Sequence, residues 1–422
     1  MNIFENSLQQ LQTAADIIVL NKDIHEFLKY PMQELTVSIP VRMDDGSTKT
    51  FRGFRVRYNT ALGPAKGGVR FHPEETIDTV RGLSALMTWK SSLLGLPLGG
   101  GKGGVICNPQ EMSGGELERL SRGYIRKIYT NIGHNLDSLA PDINTNPQIM
   151  AWMVDEYLIL TNSNDKGFTT GKPIILGGSE GRSDATARGG LYCLREALFE
   201  LDLGHNGDYD IDNKDRKFTV AIQGYGNVGM NAHRLIEEMF SNAKVVAISN
   251  VHGGIYNPNG IKYSELKNPE TFANKPMFNE SNYISNTDLL ELDVDVLIPA
   301  AMENVITSDN AEYTNSKIIL ELANGPIAPD ADPILFENAV HVIPDFLANA
   351  GGVVVSHFEM VQNSQNYFWP EEEVYQKLDR MMTEAYHKVF KVSNEKEVDM
   401  RTAAYVLAVN RVVEAMKLRG WF

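Results

Sequence analysis

Only two cysteines, Cys107 and Cys193, occur in 422 residues, in unlike contexts and without CxxC spacing. A disulfide scaffold is thereby excluded, and a reducing cytoplasm is the expected setting. Positive charge is also scarce: 39 Lys and Arg against 54 Asp and Glu leave a formal charge of −15, the wrong sign for a protein that neutralises nucleic-acid phosphates. Nowhere do about eighteen apolar residues run together, and the opening MNIFENSLQQ has neither a basic leader nor an apolar h-region. A soluble, unprocessed protein without a membrane or nucleic-acid partner is expected. HExxH, paired cysteines and clustered His/Asp spacing are missing, so no metal site is expected, and without GxSxG a Ser–His–Asp hydrolase has no support.

What is present is a globular composition, 43% hydrophobic and 22% charged, in a chain long enough for two domains. Residues 1–30 place apolar side chains at helical spacing. ELTVSIPVRM and TKTFRGFRVRYN then alternate on either side of an Asp45-Gly46 turn, which predicts a β-hairpin. GPAKGGVRFHP (63–73) reads as a glycine-rich loop, 75–90 and 115–132 as helices, and VIC (105–107) as a short strand. Glycine and small polar residues cluster over 171–190, as at an interdomain connection. A helix over 190–201 follows, then the polar stretch GHNGDYDIDNKDRK (204–217), read as a surface loop.

Beyond it, FTVAIQ (218–223), AKVVAISN (243–250), VDVLIPA (294–300), KIILELAN (317–324) and AVHVIPD (339–345) alternate with helical segments. This rhythm predicts a doubly wound parallel sheet. The fold class is α/β in two domains. Residues 1–180, completed by a C-terminal helix at about 396–422, form the first; residues 181–395, a Rossmann-like dinucleotide-binding domain, form the second. Met400–Leu418 is read as strongly amphipathic. The cleft between the domains is expected to close about hinges near 171–190 and 345–360.

Gly224-Tyr225-Gly226-Asn227-Val228-Gly229 follows the first of these strands and opens a helix. In that context a GxGxxG gives a tight turn, close backbone approach to a pyrophosphate and a helix N-terminus facing the anion. The next strand ends in Ser249-Asn250, where an acidic residue usually bonds the ribose 2′-hydroxyl. Asparagine bonds the hydroxyl without repelling a 2′-phosphate, so NAD and NADP both remain open.

LGGGKGG (98–104) sets Lys102 among five glycines, with Lys66 in GPAKGGVRF and Lys90 in MTWK before it. A phosphate loop fails on spacing: Leu96 and Gly103 stand where GxxxxGK[ST] needs glycine and a hydroxyl. Solvent is the ordinary place for lysine, yet each of these sits beside glycine or an apolar helix. If the three share a pocket, mutual repulsion lowers a pKa and makes Lys102 a usable base. Asp142 in LAPDINTN is the obvious acid/base partner, or else a cap for the helix starting near Asn146. Ser356 in NAGGVVVSHFEM either faces the pocket or bonds its own helix, and the glycine pair before it is read as allowing close cofactor approach.

GPAKGGVRF, MTWK, LPLGGGKGG, APDINTN, GYGNVG and NAGGVVVSHFEM occur in an order that resembles the glutamate dehydrogenases of small hexameric type. These belong to the wider amino-acid dehydrogenase family that also acts on leucine, valine and phenylalanine. The resemblance implies a first domain for substrate and oligomerisation, reversible NAD(P)-dependent oxidative deamination of L-glutamate to 2-oxoglutarate and ammonium, and a homohexamer. It implies Lys102 as catalytic base, Asp142 as proton shuttle, Lys90 on the substrate α-carboxylate, and Lys66 with Ser356 on the γ-carboxylate. Thr186, Asn227 and Asn324 are implied as cofactor contacts. Relatives specific for apolar amino acids carry an apolar residue where Lys66 stands. A branched-chain or aromatic amino-acid dehydrogenase, or a silent nucleotide-binding regulatory subunit, are the alternatives.

Overall fold

The apolar spacing of the first residues becomes two helices, α1 (Ile3–Ile17) and α2 (Lys22–Leu28). Asn2 and Glu5 close a capping box at the start of α1. The computed structural model describes residues 2–203, 217–266 and 282–422. They divide into one unit of Met1–Arg182, Val353–Tyr375 and Tyr405–Phe422, and another of Ser183–Gly352 and Gln376–Ala404.

In the first unit the predicted hairpin is β1 (Gln33–Arg42) and β2 (Thr48–Arg57), antiparallel, with Gly46 at φ +84° in its turn. The stretch read as a glycine loop is instead a strand, β3 (Ala65–His72). Helix α3 (Ile77–Leu93) follows, and LGGGKGGVI is the strand β4 (Gly99–Ile106). After α4 (Gly114–Ile128) come β5 (Asp137–Pro141) and α5 (Pro147–Thr161). The sheet order is β1-β2-β4-β3-β5, so the glycine strands are central.

Their glycines serve the sheet itself. A Cβ on Gly67 would lie 1.6 Å from the Gly101 carbonyl oxygen, and one on Gly100 would lie 2.3 Å from the Ser84 carbonyl oxygen and 2.1 Å from Thr88 Oγ1 of α3. Helix and strands thus pack closer than any side chain allows. Over the same glycines reaches Arg55 of β2. Its Nε donates to Asp137 Oδ2 at 2.8 Å and its Nη1 to the Gly67 carbonyl at 3.1 Å, and both ends of this ion pair are fully buried. The cleared space that the sequence reading gave to a ligand is in part the path of this arginine. Gly100→Ala is expected to lower stability by about 1–3 kcal/mol, the usual cost of overpacking. A thermal melt checks this, and an unchanged Tm would contradict the packing described.

In the second unit α6 (Ala185–Glu200) starts five residues before the predicted 190. The small residues read as linker are its first turns, kept small because Gly189 meets Gly351 and Gly190 meets Leu322. The strands are β6 (Phe218–Gln223), β7 (Ala243–Asn250), β8 (Gly253–Tyr256), β9 (Tyr283–Ile284), β10 (Val296–Pro299), β11 (Ile318–Leu320) and β12 (His341–Ile343). Helices α7 (Asn227–Met239), α8 (Asn286–Leu290), α9 (Asp332–Glu337) and α10 (Asp345–Ala348) alternate with them. The sheet order is β12-β11-β10-β6-β7-β8-β9. All five predicted strands are present and mutually parallel. β8 and β9 add an antiparallel edge too short and glycine-rich to show a period. The stretch 204–217 lies outside the described residues except for Lys217.

Three helices end the chain: α11 (Gly351–Gln365), α12 (Glu371–Lys396) and α13 (Met400–Leu418). α13 is more buried than the strong amphipathicity read from sequence: its exposed polar face narrows to Asn410, Glu414 and Lys417. In the second unit Arg401 is buried against Glu321, Asp332 and Asp345 at 2.8–3.1 Å.

Candidate active site

Lys102 projects from central β4 and donates a hydrogen bond to Asp142, which follows β5. The lysine is 5% exposed. Asp142 does not cap α5, because Asn146 accepts the Ile149 N–H at 3.0 Å in that role. Instead Arg70 of β3, which the sequence reading passed over, donates through Nε to Asp142 Oδ1 at 3.0 Å. The Ile143 N–H donates to the same oxygen at 2.7 Å. Burial pushes the Asp142 carboxyl up, but Lys102 and Arg70 outweigh it and hold the group well below the usual carboxylate range. Lys102 is lowered from its ordinary value by burial first; Asp142 opposes this, and Arg70 adds to it. Repulsion among the three lysines is therefore not the main cause expected from the sequence: desolvation is, with an arginine as helper.

Lys66 of β3 is 1% exposed, and its Nζ donates to the Leu139 carbonyl at 2.9 Å. Its proton affinity is lowered well below that of ordinary lysine, by burial first and then by Arg55, Arg182 and Lys172, against the attraction of Glu359. Glu359 of α11 is fully buried and already engaged: Lys172 Nζ donates to it at 2.7 Å and the Gly171 N–H at 2.8 Å. Arg182 feels the same carboxylate, and its Nε is buried without a hydrogen-bond partner. Three cations, Lys66, Lys172 and Arg182, thus share one carboxylate. A buried excess of this kind is relieved by an anionic ligand.

Ser356 lies on α11 in the same turn as Glu359 and is 3% exposed. Next to it, His357 is lowered to about 4 by burial first, so its ring stays neutral near pH 7. Lys90 occupies the last turn of α3, half-buried, two residues beyond Thr88, where that helix contacts Gly100 of β4. Lys102 and Asp142 are brought into contact, and Lys66 pairs in register with Gly100, two residues from Lys102. Arg70 and Arg182 were missed because nothing in a lone arginine announces a buried partner.

In the second unit each fingerprint glycine has its own reason. Gly224 has φ +94° against Ala301, and a Cβ on Gly229 would lie 1.9 Å from the Gly224 carbonyl oxygen. Around Gly226 a Cβ would meet nothing within 4 Å, and no side chain caps the helix that starts there. Open space before uncapped N–H groups fits the pyrophosphate of a dinucleotide. Asn227 and Val228 are the first residues of α7. Asn250 ends β7, 5% exposed, its Oδ1 accepting the His252 N–H at 2.8 Å. Asn324 is exposed after β11, and its Oδ1 accepts from Asn349 Nδ2 at 3.0 Å. Thr186 lies in the first turn of α6. Of the later glycine pair, Gly351 faces the Ala185 carbonyl oxygen, which would lie 1.9 Å from an added Cβ, so the missing side chain there serves helix packing. Among the described residues no group of three or more His, Cys, Asp or Glu could hold a metal ion, and no helix is long and apolar enough to cross a membrane.

A buried lysine–carboxylate pair, a buried excess of cations and a Rossmann-type sheet define a dinucleotide-dependent oxidoreductase. Residues 31–158 match the model for the Glu/Leu/Phe/Val dehydrogenase dimerisation domain, and residues 177–420 match that for Glutamate/Leucine/Phenylalanine/Valine dehydrogenase. The chain belongs to this family. It is 47% identical over 423 residues to a glutamate dehydrogenase of Thermotoga maritima, covering 99% of this chain and 98% of that one. A cryptic catabolic NAD-specific glutamate dehydrogenase of Bacillus subtilis is 44% identical over 426 residues, covering 100% and 96%. The structure of a hetero-hexameric glutamate dehydrogenase from Thermus thermophilus superposes with a TM-score of 0.91 at 33% identity, covering 100% of this chain and 97% of that one.

Proposed function

We propose that the chain catalyses the reversible NAD(P)-dependent oxidative deamination of L-glutamate to 2-oxoglutarate and ammonium. The observation that carries the choice among the family's substrates is the cationic excess at Lys66, where Lys66, Lys172 and Arg182 share the single carboxylate of Glu359. An apolar side chain would leave those charges unrelieved, whereas the γ-carboxylate of glutamate relieves them. Relatives named as glutamate dehydrogenases support the same choice.

In this reading Lys66 and Ser356, with Arg182, hold the γ-carboxylate, and Lys90 holds the α-carboxylate. Lys102 takes a proton from the water that attacks the iminium carbon; Asp142, kept ionised by Lys102 and Arg70, carries protons to and from the amino nitrogen. A nicotinamide dinucleotide, when bound, would supply the hydride acceptor for deamination and the hydride donor for amination. Gly224, Gly226, Asn227, Val228 and Gly229, with Thr186, Asn250 and Asn324, would hold the cofactor. Asn250 brings no carboxylate to repel a 2′-phosphate, so both nucleotides are expected to serve, NAD the better, as the NAD-specific relative supports. A homohexamer is the assembly we assign, supported by the dimerisation-domain match and the hexameric relative. The buried free thiols of Cys107 and Cys193 support a reducing cytoplasm.

Steady-state rates with glutamate, leucine and phenylalanine, each with NAD and NADP, test the reading. Glutamate is expected to exceed both others in kcat/KM by at least about tenfold, on the order of one lost charged contact. Faster turnover of leucine or phenylalanine would remove the substrate assignment.

A further inference from the structure

One buried carboxyl near the reacting lysine has no part in the chemistry above. Glu75 precedes α3 and is 5% exposed. Its Oε1 accepts the Thr76 N–H at 3.2 Å, while its Oε2 is buried without a hydrogen-bond partner. The side chain fills the space that Gly104 leaves on β4: a Cβ there would lie 2.6 Å from Glu75 Cγ and 3.0 Å from Oε2. Gly104 is two residues from Lys102 on the same strand, so side chains at 102 and 104 positions share a face of the sheet.

We propose that Glu75 is a positioning residue for the Lys102–Asp142 pair, its buried and half-partnered carboxylate supplying a second negative charge, with Arg70, beside the strand that carries Lys102. The charged groups that act on it come from three strands: Arg70 of β3, Lys102 of β4 and Asp142 after β5. His72 of β3 is turned to the backbone, its Nδ1 accepting the Glu74 N–H at 3.2 Å. On α3 the nearest charges, Asp78 and Arg81, are paired with each other, and Arg81 also with Glu34. Glu75 therefore lies against the strand of Lys102, with Arg70, Lys102 and Asp142 acting on its charge. Burial pushes its carboxyl up, with Arg70 the first opposing influence, and Lys102 in turn is raised by Glu75. With both carboxylates ionised the four-membered cluster is neutral; without Glu75 it carries an excess positive charge, and Lys102 loses its proton more readily.

The functional consequence rests on the reading of Lys102 as the base, but the electrostatic one does not, and the test separates them. Competitive acetylation of Lys102 across a pH series, read by peptide mass spectrometry, reports its proton affinity in the intact protein without any turnover. Glu75→Gln is expected to move the labelling midpoint down by roughly half a unit to one unit. Glu75→Met, which also removes the charge and fills the space beside Gly104, is expected to do the same, and Glu75→Asp to restore most of the wild-type midpoint. The acid limb of kcat/KM for glutamate should move down in parallel, with KM for glutamate little changed. A folded Gln or Met variant with an unshifted Lys102 midpoint overturns the inference, as does a loss of Tm alone. A midpoint shifted in the Gln and Met variants, when the wild type itself does not turn over glutamate, supports the inference and sinks the substrate reading instead.

Discussion

Lys102→Ala and Lys102→Arg are both expected to lower kcat/KM for glutamate by about 10²–10⁴-fold, the range for a positioned acid–base group. Dinucleotide binding, measured by calorimetry on the same variants, should be unchanged. The arginine variant carries the argument. It keeps a cation beside Asp142 but cannot give up its proton near neutral pH. If Lys102 served only to hold charge, arginine would retain most of the activity. Burial lowers the lysine from its ordinary value, and Asp142 is held well below the carboxylate range. The pair therefore stays ionised on the acid side, and the rise of rate with pH tracks Lys102 losing its proton. Asp142→Asn should fall within the same range and remove the acid–base cycle at the amino nitrogen. Activity of either lysine variant within tenfold of wild type would rule out the base assignment.

Lys66→Met is expected to cost glutamate about 3 kcal/mol in kcat/KM, roughly a hundredfold, because an unpaired γ-carboxylate is left in a dry pocket. Use of leucine relative to glutamate should rise correspondingly. The same substitution should leave Tm unchanged or higher. Burial disfavours the charge on Lys66, and Glu359, the carboxylate that attracts it, is already hydrogen-bonded by Lys172, so the fold gains little from that charge. This split between stability and specificity separates a substrate anchor from a structural lysine. A fall in Tm with unchanged glutamate kinetics would reverse the assignment.

The parallel sheet of the second unit was legible because its strands are short β-branched runs between helical segments, a local pattern that burial on both faces enforces. The antiparallel pair β8 and β9 at one end of that sheet was not, since GGIY and YI carry no period of their own. The hairpin of the first unit was readable from alternation and its Asp-Gly turn. The glycine strands were not: glycine carries no hydrophobic signal, and only the contacts of Gly67 with the Gly101 carbonyl and of Gly100 with α3 explain them.

At LGGGKGG the amino-acid order alone singled out the lysine, named its carboxylate partner forty residues on, and excluded a phosphate loop by spacing. It could not say why the glycines are there or what depresses the lysine. Those answers depend on atoms brought together from distant parts of the chain: Arg55 lying over Gly101 to reach Asp137, Arg70 joining Asp142, and Glu75 filling the space beside Gly104. Residue types and their local spacing specify which chemistry a chain carries. Burial and charge balance, which set how strongly each group holds its proton, exist only after folding has removed the water and chosen the neighbours.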